Sequence, residues 1–197
     1  MASNNIGKTF EQEFKECVPP DYYLYRLKDD TSGFYGVSNP CDYILFRSPY
    51  LFLVELKTHK GKSIPIAKIR SNQIQGMEKA THYEGVYGGF LINFRELEET
   101  YYITVQDVIQ FTQTEERKSI PVEWCRDHGV KIEQKKKRVR YSYDLESWLS
   151  RYYTSSMSVI DKISDTITVN KIATIDRVID TVMRGNHKGG VKAYGSK

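Results

Sequence analysis

Asn39-Pro40-Cys41-Asp42-Tyr43-Ile44-Leu45-Phe46-Arg47-Ser48-Pro49-Tyr50-Leu51-Phe52-Leu53-Val54-Glu55-Leu56-Lys57-Thr58 is the stretch around which the chain is organised. Two apolar, aromatic-rich runs flank a break at Arg47-Ser48-Pro49, the pattern of a β-hairpin. A turn centred between Ser48 and Pro49 sets Asp42 opposite Glu55 on the paired strands. Cross-strand partners lie roughly 4.5–5.5 Å apart at Cβ, close enough for two carboxylates to share one cation. Side chains alternate along a strand, so Lys57 leaves on the face of Glu55 while Leu56 points the other way.

Leu51 to Val54 is an apolar run typical of a strand buried on both faces. Placing Glu55 and Lys57 at its end is expensive unless the charges are paired or bound to a metal. Two carboxylates without a neutralising partner raise each other's pKa, and Mg²⁺ or Mn²⁺ removes that conflict. A hard cation held by one or two carboxylates and a phosphate suits phosphodiester chemistry, so acid, acid, lysine on one hairpin face reads as a metal-nuclease pattern. The bland alternative is a solvated Glu-Lys pair shielding a strand edge.

The chain has 197 residues, 40% hydrophobic and 27% charged, as expected of a soluble globular protein with one main domain. No run approaches a membrane span, and the N-terminus lacks the apolar segment of a secretory signal. The three cysteines, Cys17, Cys41 and Cys125, show neither CxxC nor zinc spacing and read as reduced thiols of a cytoplasmic protein. A net charge of +4 tolerates nucleic acid as a partner without demanding it.

Gly7 to Glu16 reads as a helix with Phe10, Phe14 and Cys17 or Val18 on its apolar stripe, stopped by Pro19-Pro20. Glu11 lies at the border of that stripe, from which it could reach a metal site; the alternative is an exposed helix carboxylate like Glu13 and Glu16. Tyr22 to Leu27 reads as a strand running into a polar loop, Lys28 to Ser38. After the hairpin, Thr58 to Ser63 forms a basic, glycine-broken loop. A helix is expected from Ala67 to about Glu84, with Gln73 on its apolar stripe. A buried amide needs partners, so Gln73 is either tied to backbone or aimed at the site. Strands are expected at Val86 to Phe94 and Tyr101 to Thr104, and short helices at Val105 to Phe111, after Pro121, and at Leu145 to Tyr153. Between them, Lys131 to Arg140 is the densest positive run, either a solvated edge or a phosphate-facing one. From Thr154 the character changes: isoleucines at helical spacing suggest an amphipathic extension over 154–185 beyond a main domain of 1–153, and 186–197 reads as a disordered basic tail.

Taken together these pieces resemble the RecU family of Holliday junction resolvases, over roughly Gly7 to Trp148. The resemblance begins at the Gly-x-x-Phe-Glu helix start, Gly7 to Glu11, and continues through Asp42, Glu55 and Lys57. Its most specific part is Lys57-Thr58, Lys62-Ser63-Ile64-Pro65 and Asn72-Gln73-Ile74-Gln75-Gly76-Met77. Gly89 to Phe94, Tyr101 to Ile103 and Arg117 to Ile120 keep the family's order. The resemblance implies an α/β, restriction-endonuclease-like core, a mixed central β-sheet flanked by helices, here with a C-terminal helical extension. It implies that Asp42, Glu55 and Glu11 ligate or orient Mg²⁺ or Mn²⁺, that Lys57 positions water or stabilises the transition state, and that Gln73 supports the site. It further implies a homodimer acting on branched DNA, since two symmetric strands need two active sites related by a two-fold axis. Asn72 and Gly76 replace family histidines, and Cys41 replaces a hydroxyl residue. The segment beyond Met157, outside the match, suggests a phage-type or divergent member.

Local DNA contacts are expected from Lys60, Lys62, Arg70, Lys135, Lys136, Lys137, Arg138 and Arg140, with a recombinase as a candidate protein partner. The competing readings are a restriction-type or repair nuclease on duplex DNA, and a catalytically silent junction-binding accessory protein. A mere binder gains nothing from burying those carboxylates.

Overall fold

A computed structural model of the chain describes residues 3–27 and 39–153. The loop expected at 28–38 and the extension and tail expected at 154–185 and 186–197 lie outside the described residues. The chain divides into two units, Met1–Trp148 and Leu149–Lys197, and the architecture below is that of the first.

The first helix, α1 (Ser3–Cys17), is followed by strands β1 (Tyr23–Arg26), β2 (Tyr43–Arg47), β3 (Tyr50–His59) and β4 (Ser63–Pro65). A 3₁₀ turn at Ile66–Lys68 leads to α2 (Ser71–Ala80), then β5 (Val86–Phe94), β6 (Glu99–Thr104) and α3 (Val105–Thr114). The order closes with β7 (Ser119–Pro121), α4 (Val122–His128), β8 (Val130–Ile132), β9 (Gln134–Lys136) and β10 (Tyr141–Tyr143), and residues 145–153 are helical. Six strands form the main sheet in the order β1-β2-β3-β5-β6-β8. Only β3 and β5 run parallel, so the sheet is mixed.

The apolar run at Leu51 to Val54 places β3 centrally, between β2 and β5. Its alternating side chains feed two layers. Phe52, Val54 and Leu56 join the layer with α1, where Phe14 meets Tyr43 at 5.3 Å and Tyr102 meets Trp148 at 4.6 Å between ring centroids. Leu53 joins the opposite layer, packed with Ile69, Met77, Phe90, Ile92, Val108 and Phe111 under α2, α3 and α4. Glu55 and Lys57 leave toward this second layer. Among the described residues no helix is long and apolar enough to cross a membrane.

The single helix expected from Ala67 to Glu84 is instead a 3₁₀ turn and a shorter α2. Ile69 and Arg70 are extended between them, which sinks Ile69 into the core at 5% exposure. The cause lies in Gln73, whose side-chain oxygen accepts the Arg70 N–H at 3.1 Å and so caps the first turn of α2. Gly85 does not end the helix, which stops at Ala80; with φ +76 it turns the chain into β5 where a side chain would meet the Pro49 carbonyl. The basic run begins on β8, an edge strand of the main sheet, and continues into the separate β9–β10 ribbon and its connection.

Candidate active site

The hairpin register pairs Tyr43 with Val54 and Arg47 with Tyr50, which carries Asp42 to the position opposite Glu55. Asp42 sits in the bend just before β2. Its carbonyl accepts the Leu27 N–H at 2.9 Å, and its Oδ2 accepts the Leu56 N–H at 2.9 Å, so backbone on both sides fixes it. Glu55 is 3% exposed. Its Oε1 accepts from Lys57 Nζ at 2.7 Å and from Gln73 Nε2 at 2.6 Å. Gln73 thus does both things asked of it: its oxygen caps α2 and its amide N–H₂ holds the carboxylate. Oε2 of Glu55 is buried and has no hydrogen-bond partner among the described residues. A cleft of about 210 Å³ opens here, lined by Asn39, Cys41, Asp42, Glu55, Lys57, Arg70 and Gln73.

Burial, and then the neighbouring charge of Glu55, push the Asp42 carboxyl up to about 7, against the opposing pull of the Leu56 N–H and Lys57. Glu11 adds to the upward push, which places its charge within electrostatic reach of Asp42. Burial, then Glu55 and Asp42, push the Cys41 thiol up to about 12, and Sγ donates to the Tyr43 carbonyl at 3.3 Å. Cys41 therefore presents a neutral thiol to the cleft. An unsatisfied buried carboxylate oxygen beside a carboxyl that resists ionisation is a site short of positive charge. The all-oxygen acidic donors fit a hard cation such as Mg²⁺ or Mn²⁺.

The three expected acids are not equivalent. Among the described residues no group of three or more His, Cys, Asp or Glu side chains is gathered tightly enough to hold a metal by itself. Asp42 and Glu55 form the pair, whereas Glu11 rises from α1 on the other side of the sheet and is held by Arg26 at 3.3 Å. Glu13, its neighbour on the helix, belongs elsewhere. It is fully buried and takes Arg95 at 2.6 and 2.8 Å, Tyr143 Oη at 3.0 Å and the Tyr141 N–H at 2.9 Å. Burial alone would raise its pKa, but Arg95 and these donors hold it below the usual carboxylate value. That network is a structural anchor joining α1, the residue after β5 and strand β10 of the ribbon.

Of the eight expected DNA contacts, Arg70 lines the cleft. Lys60 and Lys62 lie on the exposed connection from β3 to β4. The basic ribbon lies apart from the cleft lining, and it is partly neutralised: Lys136 pairs with Glu98 at 2.8 Å and Arg140 with Glu16 at 2.7 Å. Lys135, Lys137 and Arg138 are exposed. Sequence reading missed the support beneath Asp42. Asn72 Nδ2 donates to the Asn39 carbonyl at 3.3 Å, and a Cβ at Gly76 would stand 2.6 Å from Pro40 Cβ. Asn72 and Gly76 thus let α2 lie directly on the segment carrying Asp42.

The sequence profile described as RecU, Recombination protein U, matches residues 23–147. The SPbeta prophage-derived uncharacterized protein YotM of Bacillus subtilis is 34% identical over 166 residues, covering 74% of this chain and 85% of that protein. The Holliday junction resolvase RecU of Streptococcus pneumoniae is 30% identical over 119 residues, covering 59% of this chain and 60% of that protein. The chain therefore spans about 60% of the length of that resolvase. The solved structure of Hjc, a Holliday junction resolvase of Archaeoglobus fulgidus, is similar with a TM-score of 0.45 and 14% identity, covering 63% of this chain and 93% of that one.

Proposed function

This chain belongs to the RecU family, and from that premise we propose that it is a divalent-metal-dependent, structure-selective endonuclease that resolves four-way DNA junctions by symmetric phosphodiester hydrolysis. The observation that carries the reading is the buried Oε2 of Glu55, without a hydrogen-bond partner among the described residues, at the register position opposite Asp42, with Lys57 and Gln73 both committed to the other oxygen. That arrangement needs a cation, and its surroundings need an anion.

Asp42 and Glu55 would hold Mg²⁺ or Mn²⁺, with Glu11 orienting the group from the α1 side. When bound, the cation supplies a polarised phosphate oxygen and a water acidic enough to attack near neutral pH. Within the chain, the Leu56 N–H and the Gln73 amide keep the two carboxylates at fixed positions, so little reorganisation is needed on binding. Lys57, whose side chain is 14% exposed, places an ammonium at the mouth of the site to offset charge developing on the phosphorane-like transition state. Arg70 stands over the same cleft as a backbone-phosphate contact. The acting unit is a homodimer, so that two active sites face two symmetric strands, and a recombinase is the partner class that would hand over the junction.

The test is cleavage of a synthetic four-way junction beside a linear duplex of the same sequence, in Mg²⁺, Mn²⁺ or EDTA, by the wild type and Asp42→Asn. Paired nicks in junction strands of like polarity, dependent on metal and on Asp42, are expected. Equal cutting of duplex would replace the reading with a general nuclease. Tight junction binding without cutting in either metal would replace it with an accessory binder.

A further inference from the structure

The end of β3 carries a second cluster that the cleavage chemistry does not use. Past Lys57, Thr58 and His59 close the strand and Lys60 starts the connection to β4. Together with Ile6 of α1 and Lys68 of the 3₁₀ turn they enclose a cavity of about 250 Å³. Three separate segments therefore converge on one hollow. At about 30 Å³ per water molecule it has room for several waters or for one tetrahedral oxyanion.

Its chemistry is one-sided. Lys68 Nζ lies 3.0 Å from His59 Nδ1. An ammonium has only donors, so Nδ1 accepts, and the imidazole proton is placed on Nε2. His59 thereby becomes a further N–H donor. Burial and then Lys68 hold its pKa below the ordinary imidazole value, opposed by Glu96, so the ring stays a neutral donor. Among the described residues no carboxylate lines the cavity. Several other cations are matched internally: Arg95 to Glu13, Arg126 to Glu99, Lys136 to Glu98, Arg140 to Glu16. Among the described residues neither Lys60 nor Lys68 has an acidic partner within ion-pair distance. Two ammonium groups gathered around one imidazole repel each other unless an anion is present. Thr58 braces the wall, donating its hydroxyl to Asn93 Oδ1 at 3.1 Å.

Position supplies the rest. His59 is four residues beyond Glu55 on the same strand, hence on the same face and about 13 Å further along. DNA presents a phosphate on each strand every 3.4 Å or so of axial rise. We propose that the hollow formed by His59, Lys60 and Lys68 is a second oxyanion subsite, which grips a DNA backbone phosphate a few nucleotides from the one cleaved and sets the register of the substrate strand. This rests on the nuclease reading for the identity of the ligand, whereas the oxyanion chemistry stands on the cavity alone.

The test measures binding of the full chain to four-way junctions carrying one neutral methylphosphonate at each successive position, in EDTA, over a range of salt. For the wild type, one position several nucleotides from the cleavage point is expected to weaken binding and to lower the salt slope by about 0.9. Lys68→Ala and Lys60→Ala, both at exposed positions, are expected to lose that sensitivity while keeping it at the cleaved phosphate. Lys79→Ala, on the exposed side of α2, is expected to behave as wild type. If the Lys68→Ala scan and salt slope match the wild type, the subsite is overturned and the nuclease reading stands. If the wild type binds no DNA, the nuclease reading falls, and inorganic phosphate followed through the His59 ring resonances decides the pocket: a saturable shift abolished by Lys68→Ala supports a free-phosphate site, and no shift overturns it.

Discussion

Gln73 donates its amide N–H to Glu55 Oε1 at 2.6 Å, from α2 to the central strand, while its own oxygen caps the helix that carries it. The central strand and the covering helix are therefore linked through one side chain. Gln73→Leu would suit the apolar stripe, but would remove the cap of α2 and release the buried Glu55, at a cost on the order of 1–3 kcal/mol. Metal affinity should drop by roughly 10–100-fold, as for lost supports of metal-ligating carboxylates. Titration with Mn²⁺ and a thermal melt in EDTA check both halves: affinity lost together with a lowered melting point is the expected pair.

Gly76 separates helix propensity from packing. Alanine is favoured over glycine inside a helix by about 1 kcal/mol. Here its Cβ would stand 2.6 Å from Pro40 Cβ, a clash on the order of 1–3 kcal/mol that pushes on the Asn39–Asp42 segment. Gly76→Ala should be destabilising in urea and should weaken Mn²⁺ binding. A stabilised Gly76→Ala would show that the segment under Asp42 yields freely.

The Asp42 carboxyl, raised to about 7 from 3.8, gives the metal-free protein a distinctive pH dependence. Between those values the folded state holds a proton that the unfolded state has released. Stability from this group is thus full below about pH 4 and declines as pH rises toward 7. Urea unfolding in EDTA at pH 5 and pH 7.5 should show wild type losing more stability than Asp42→Asn. Added Mg²⁺ should shrink the difference, because the cation stabilises the ionised carboxylate.

The two helix glutamates should part cleanly. Glu13→Gln breaks a buried pair with Arg95 and should destabilise by roughly 3–5 kcal/mol. Glu11→Gln loses only a partly exposed contact to Arg26, worth about 1 kcal/mol or less, and should instead lower junction cleavage. Denaturation and cleavage measured on both variants check the assignment; the reverse pattern would move the catalytic role to Glu13.

On the basic ribbon, Lys135 and Lys137 should matter more for DNA than Lys136, which is already paired with Glu98. Neutralising Lys135 and Lys137 together should lower the salt slope of binding by nearly 2, and Lys136→Ala by much less. Equal slopes for all variants would remove the ribbon from the interface.

The sequence by itself determined the hairpin and its register. Apolar runs on either side of a turn centred between Ser48 and Pro49 leave one pairing, and that pairing sets Asp42 against Glu55. It likewise determined β5 to the residue, because Val86 to Phe94 is an apolar run bounded by Gly85 and Arg95. The helix covering the site was legible only in part, since Gln73 on an apolar stripe signals a buried amide without saying what it binds. Tertiary structure alone decided that both ends of that amide are used, that Glu13 is an anchor while Glu11 stays near Asp42, and that Lys68 is brought to His59. The physical reason is range. Periodicity reports which face of one element is buried, whereas the partner of a buried charge is chosen by distant chain, as when Arg95 meets Glu13 across 82 residues.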